Sequence, residues 1–228
     1  SQKGMQIHIE KKYDKKKFII INNGYDTNIF KPDYHLREKI RKKLKIESST
    51  IVLGLIGRFH SQKDHNTLFK SLSLIKSNNY VVILAGKGIN KKNYKLLEMI
   101  EKNKIDKNKI IFLSEIKNVH EIYNAMDVNI LSSAYGEAFP NVLAEGMSCG
   151  LPSITSDVGD ASKILNDINF TFKPYDYIKL SKIINIMIEN LPNNQFIAEI
   201  SNKNRNRIIE KYSIHLMVEK YNKVWEDN

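Results

Sequence analysis

The tightest constraint on this chain is a regular alternation. Short apolar runs recur at 51–57, 80–85, 109–113, 128–132 and 152–155. Each of the first four is followed by a stretch with helical spacing of its apolar residues, at 64–77, 92–103, 119–126 and 140–149. A strand buried on both faces reads as a continuous apolar run, and a crossover helix must separate it from a parallel neighbour. The pattern therefore predicts an α/β domain: a Rossmann-like parallel sheet with helices on both faces. A last short strand is expected at 170–172. Helices are expected at 176–189 and 195–226, the second broken near Tyr212-Ser213. Ahead of the alternation, 33–44 reads as a basic amphipathic helix. Residues 18–22 read as a strand closed by the turn pair Asn23-Gly24. The region before residue 31 is Lys-rich, with one strand and no helix partner. It is expected to be the end of a preceding domain, with 31–228 as the domain proper.

Composition excludes several classes. With 42% apolar residues in 228, the chain can bury a core. A single cysteine, Cys149, rules out an internal disulfide framework and a Cys-based zinc cluster. No apolar run approaches the ~20 residues of a membrane span. The chain starts at Ser1 rather than Met, so it is expected to be part of a longer protein. The formal charge of +11 invites a nucleic-acid reading. Only five of the 36 basic residues are Arg, however, while Lys, Asn and Ile abound, as an AT-rich coding sequence would produce. Residues 1–50 carry +7 and residues 51–112 carry +8, whereas residues 113–160 carry −6. Most of the excess is expected on solvated faces.

In an open parallel sheet, ligands bind beyond the carboxyl ends of the strands. The polar and glycine residues gather there. Gly57, Arg58 and Lys63 follow the first strand, and Gly86-Lys87-Gly88 the second. Glu115-Ile116 follows the third, and the segment 132–141 the fourth. Arg58 is the only Arg between Arg41 and Arg205, and a planar fork matches phosphate oxygens. A helix opening at Pro140 would turn free N–H groups and the positive end of its dipole into the crevice. Glu137 and Glu145 form a second constellation. If helical, the eight residues between them rise about 12 Å, too far for an acid/base pair sharing one bond. The two carboxylates are then expected to touch different parts of one ligand. His60, His65 and His120 lack metal-ligand spacing, and Cys149 reads as packing.

These motifs resemble, in order, the nucleotide-sugar-binding domain of GT-B glycosyltransferases, specifically the retaining family 4. Asn23-Gly-Tyr-Asp-Thr-Asn-Ile-Phe30 is similar to the family's lead into its second domain. Gly57-Arg58 with Lys63, and Gly86-Lys-Gly88, resemble its phosphate-side motifs. Glu137 to Glu145 fits its Glu-x7-Glu motif, continued by Gly146-Met-Ser-Cys-Gly-Leu-Pro152. Ser114 and Gly159-Asp160 depart from the usual Gly and Gly-Gly; the latter version resembles enzymes of bacterial capsule and lipopolysaccharide synthesis. The resemblance implies roles. Arg58 and Lys63 would neutralise the diphosphate leaving group, and Glu137 would meet donor sugar hydroxyls. Backbone groups of Phe139, Pro140, Asn141 and Val142 would lie near sugar and phosphate. Glu145 would bind ribose, Ile116 would lie by the base, and Gly57 and Gly86 would line the site. Glu137, Arg58 and Lys63 are thus the expected catalytic residues.

The resemblance further implies a UDP-sugar or other nucleotide-sugar donor, no metal and no other cofactor. The acceptor would be a glycan or lipid-linked glycan held by an N-terminal domain absent from this chain, so this lobe alone is expected to be inactive. The expected place is the bacterial cytoplasm, with the basic N-terminal charge favouring the inner face of the membrane. Two alternatives stand beside this: another GT-B enzyme such as a nucleotide-sugar epimerase, and a basic nucleic-acid-binding protein.

Overall fold

The computed structural model describes residues 1–226. Its elements run α1 (Gln2–Glu10), α2 (Tyr34–Lys43), β1 (Ile51–Ile56), α3 (His65–Leu72), β2 (Tyr80–Ala85), α4 (Tyr94–Lys102), β3 (Ile110–Leu113) and α5 (Val119–Ala125). They continue with β4 (Val128–Leu131), α6 (Asn141–Ser148), β5 (Ser153–Ser156), α7 (Ala161–Leu165), β6 (Thr171–Phe172), α8 (Tyr177–Asn190), α9 (Asn194–Tyr212) and α10 (Ile214–Glu226). All six strands are parallel, in the order β3-β2-β1-β4-β5-β6. This is the doubly wound order with its reversal between β1 and β4, where a crevice opens beyond the strand ends.

Side-chain alternation explains the two covered faces. Leu53 and Leu55 of β1, with Val82 and Leu84 of β2, pack against Leu68 and Phe69 of α3 and Ile183 and Ile184 of α8. Val52 and Ile83 point the other way, onto Ile40 of α2 and Tyr123 of α5. A third cluster joins Leu143 and Met147 of α6 to Ile208 and Tyr212 of α9. Cys149 belongs to the core, and burial pushes its thiol up to about 12.

Charge is buried at one place far from the crevice. Asp127, just before β4, accepts from the Val52 N–H at 2.7 Å. Arg37 pairs with the same carboxylate, and Arg41, 5% exposed, lies 3.4 Å from it. Desolvation pulls the Arg41 guanidinium down, and Asp127 opposes the shift. This cluster pins α2 to the amino ends of β1 and β4.

Helix starts are set by side-chain caps. Asp33, Asp64, Asn93 and Asp176 each accept an N–H of the first turn, so α4 begins after Asn93 rather than at 92. α3 ends at Leu72, short of the expected 77. The break at Ser213 between α9 and α10 is where the sequence places it.

Two expectations before residue 31 are corrected. Residues 18–22 are extended but pair with no strand. The single bridge here is Tyr25 with Ser213, where Tyr25 N–H donates to Tyr212 O and Ile214 N–H to Tyr25 O, both at 2.9 Å. A helix, α1, is also present. Its first N–H groups are satisfied by Ser1 Oγ and, from the far end of the chain, by Asp160. That carboxylate accepts from Gln2 N–H at 2.7 Å and Lys3 N–H at 3.1 Å. A carboxylate at a helix N-terminus is doubly favourable, as cap and as dipole partner.

Candidate functional site

A cleft of about 500 Å3 opens beyond β1 and β2, lined by Gly57, Arg58, Lys63, Gly86, Lys87 and Ile116. The structure thus gathers five of the sequence-nominated residues with Lys87. Gly86 has a conformational reason to be glycine. Its φ is +141°, and a Cβ there would stand 2.4 Å from the Gly57 carbonyl oxygen. The ends of β1 and β2 therefore approach closely enough for Gly57 N–H to bond Ala85 O at 2.8 Å.

Lys63 closes a 3-10 turn, Ser61–Lys63, that the loop after β4 straps down. Ala134 N–H donates to Gln62 O at 2.8 Å, and the Ser132 hydroxyl lies 2.9 Å from Lys63 O. From this turn Lys63 Nζ reaches Glu137 Oε1 at 2.5 Å, with side chains only 14% and 9% exposed. The Ser133 hydroxyl donates to the same oxygen at 2.6 Å. The two residues nominated for opposite ends of the donor are thus a buried ion pair. Arg58 extends toward Gln62 Oε1 at 3.3 Å, while Gln62 Nε2 holds Gly136 O at 2.9 Å. Among the described residues Arg58 has no carboxylate partner. Gly159 is another position that requires glycine. At φ +64° it runs so close under Glu137 that a Cβ would overlap the Glu137 carbonyl. Asp160 does not cap α7; its carboxylate caps α1.

α6 begins differently from α2, α3, α4, α8 and α9. Pro140 is its N-cap, not its first residue, and supplies no side-chain hydrogen bond. Leu143 N–H turns back to Pro140 O at 3.2 Å, whereas the N–H groups of Asn141 and Val142 meet no acceptor among the described residues. They are two of the orphan donors of a helix start, with the dipole behind them. The helical-rise estimate between Glu137 and Glu145 does not apply, because residues 137–140 precede the helix.

The remaining nominated residues do not line this cleft. Phe139 packs on Tyr25 at 6.4 Å and on Tyr212 at 5.3 Å, holding the start of α6. Val142 offers its carbonyl to Asn129 Nδ2 at 3.1 Å. Asn141 and Glu145 line a separate hollow of about 290 Å3 with Asn23 and Tyr25. There Asn141 Oδ1 accepts from Asn23 Nδ2 and Tyr25 OH, each at 2.8 Å. Glu145 Oε2 lies 3.0 Å from the Tyr123 hydroxyl. Burial raises the Glu145 carboxyl above its ordinary value, and the Tyr123 hydrogen bond opposes this. Ser133, Tyr123 and Tyr25 were not nominated as site residues. Ser133 stands in the loop after β4, which was a visible signal; the two tyrosines gave none. Among the described residues no cluster of three His, Cys, Asp or Glu could hold a metal ion, and no helix is long and apolar enough to cross a membrane.

Residues 36–211 match the family described as glycosyl transferases, group 1. Protein CapJ of Staphylococcus aureus is 31% identical over 189 residues, covering 78% of this chain and 45% of CapJ. An Escherichia coli enzyme named UDP-Gal:alpha-D-GlcNAc-diphosphoundecaprenol alpha-1,3-galactosyltransferase is 25% identical over 229 residues, covering 94% and 55%. The chain therefore spans about half the length of these relatives. Among solved structures, Anabaena HepE in complex with UDP and glucose superposes with a TM-score of 0.89 at 22% identity, over 100% of this chain and 62% of HepE.

Proposed function

Because the chain belongs to the group 1 glycosyl transferases, we propose that it is the donor-binding lobe of an enzyme that moves a sugar from a nucleotide diphosphate donor, a UDP-sugar, to a glycan or lipid-linked acceptor in bacterial surface polysaccharide synthesis. Its parallel sheet is one lobe of a GT-B fold. A relative named for galactosyl transfer to a diphosphoundecaprenol-linked sugar, and a neighbour solved with UDP and glucose, support the substrate class. Residues 1–30 are then the end of the acceptor-binding lobe. α10, which buries none of its residues and exposes Val218, Tyr221 and Trp225, returns to pack on that lobe.

One observation carries the reading. Arg58, which has no carboxylate partner, follows β1, and the free N–H groups of α6 follow β4, the two strands that meet at the topological switch point, the place built for a diphosphate. As the sugar leaves its diphosphate, negative charge grows on the phosphate oxygens. Arg58, Lys63 and the α6 dipole are fixed in advance to meet it, which lowers the barrier without reorganisation. Transfer is front-face with retention and needs no metal ion. Glu137, held by Lys63 and Ser133, accepts hydrogen bonds from donor sugar hydroxyls, and Glu145 accepts from the ribose. The base lies against Ile116. The setting is the cytoplasmic face of the membrane, where lipid-linked acceptors are found.

The test is calorimetric titration of the chain with UDP, GDP and ADP. UDP is expected to bind most tightly, with at least about tenfold weakening in Arg58→Ala. Equal affinity of wild type and Arg58→Ala for all three nucleotides would overturn the proposal.

A further inference from the structure

The Ser61–Lys63 turn has two sides. Gln62 and Lys63 line the phosphate cleft. His60 and Ser61 line a larger cavity, about 650 Å3, with Phe59, His65, Tyr135 and Tyr175. That volume is within the usual range of small-molecule sites.

Its walls are ring faces. Tyr135 and Tyr175 are 49% and 62% exposed, unusual for large aromatic side chains flanking one cavity. Tyr135 is fixed by its hydroxyl, 2.6 Å from Ser61 Oγ. Tyr175 sits at φ +67°, a region that bulky residues seldom occupy and that local bonds must impose. Asp176 N–H to Lys173 O at 3.0 Å and Tyr177 N–H to Tyr175 O at 2.9 Å impose it.

The floor is His65, 2% exposed, its ring tilted at 50° to that of Phe59 with centroids 5.4 Å apart. Neither ring nitrogen has a partner among the described residues. Burial, with the nearby Lys63 charge, pulls its pKa down to about 4, so the ring is neutral at physiological pH. A neutral imidazole offers one donor and one acceptor on different edges of its ring; a hydroxyl can serve either, whereas a carboxylate or phosphate oxygen can only accept. The two charged groups of the lining, Asp64 and Lys95, balance, and Asp64 is already engaged by Thr67.

Aromatic faces around neutral hydrogen-bonding groups match a sugar ring, whose C–H faces are apolar and whose edges carry hydroxyls. We propose that this cavity is a glycan subsite, taking a neutral sugar unit of the acceptor chain beside the donor rather than the donor sugar itself. The acceptor assignment rests on the transferase reading above; sugar binding here does not. Sharing one turn with the phosphate cleft, the cavity would hold acceptor and leaving group on either side of Lys63.

The test uses cellobiose, maltotriose and N,N′-diacetylchitobiose as probes on the full chain, by ligand-observed NMR and titration calorimetry, with and without saturating UDP-glucose. At least one probe is expected to bind, to weaken about tenfold in Tyr135→Ala and in Tyr175→Ala, and to bind equally with UDP-glucose present. Both tyrosines are exposed, so both variants are expected to keep the wild-type melting curve and UDP affinity. Failure of every probe, equal binding by both variants, or displacement of the probe by UDP-glucose would overturn the proposal. Probe binding without any UDP binding would instead count against the donor reading and leave the sugar cavity standing.

Discussion

The Lys63–Glu137 pair makes a prediction in which two halves of one salt bridge act with opposite sign. Glu137 holds Lys63 at 2.5 Å, so much of the lysine's charge is already spent on a carboxylate. Glu137→Gln removes that competitor and leaves a side chain of the same shape, still able to accept from Ser133. Lys63→Ala removes the cation itself. For a diphosphate lodged about 5 Å from Glu137, one unit of charge is worth about 3 kcal/mol at an effective dielectric of about 20. Solvent in the open cleft halves this or more, which leaves roughly a tenfold change in affinity. UDP, which carries no sugar for Glu137 to hold, should therefore bind about tenfold tighter to Glu137→Gln and at least tenfold weaker to Lys63→Ala. Stability should move the same way in both. Each variant strands a charge whose side chain is 9–14% exposed, costing about 3 kcal/mol. For a chain of this size that lowers Tm by about 6–12 °C. Titration calorimetry with UDP and thermal melts of the three proteins decide the matter. Equal weakening of UDP by both substitutions would refute the argument, because it would make Glu137 a nucleotide ligand rather than a competitor.

Three further outcomes follow from the same geometry. Glu145 has a raised carboxyl in the folded state, so its contribution to stability is present at low pH and is lost as pH rises through its folded value. Glu145→Gln should accordingly melt above wild type at neutral pH, with the difference vanishing below the ordinary carboxylate value of 4.5, while UDP binds about fivefold more weakly, because a neutral amide oxygen accepts from the ribose less strongly than a carboxylate. Asp127→Ala leaves Arg41 without its counter-ion and the Val52 N–H without its acceptor and should cost about 3–5 kcal/mol by denaturant unfolding, with UDP affinity unchanged for the folded fraction. The chain by itself should bind nucleotide yet transfer no sugar from UDP-glucose or UDP-galactose to N-acetylglucosamine-linked acceptors, and measurable turnover would show that the second lobe is dispensable.

The sheet was legible because its strands are buried on both faces and so read as unbroken apolar runs, as at 51–56 and 80–85. The loops that carry Arg58, Lys63, Gly86 and Ile116 were legible for the same reason, since parallel topology sends every strand end to one edge. What stayed hidden depends on contacts far apart in the chain. α1 has few apolar residues and owes its start to Asp160, 157 or more positions away. The pairing of Lys63 with Glu137 spans 74 residues. The start of α6 was misplaced by one residue because Pro fits both the N-cap and the first turn, and only the backbone decides. The packing of the Phe139 ring on Tyr25 and Tyr212 likewise joins positions 114 and 73 residues apart.

The lacing of Tyr25 to Tyr212 and Ile214 has a mechanical meaning. The chain passes into the sheet domain and out of it at one spot, and there the two passages are hydrogen-bonded side by side. A body hung on a single thread can tumble in every direction, whereas one hung on two fastened threads swings as a door does. The door frame is also the mouth of the site, since Asn23 and Tyr25 both hold Asn141 at the first residue of α6. The lacing therefore stands beside the free N–H groups of Asn141 and Val142, so strain on either passage of the chain is felt first at the start of α6.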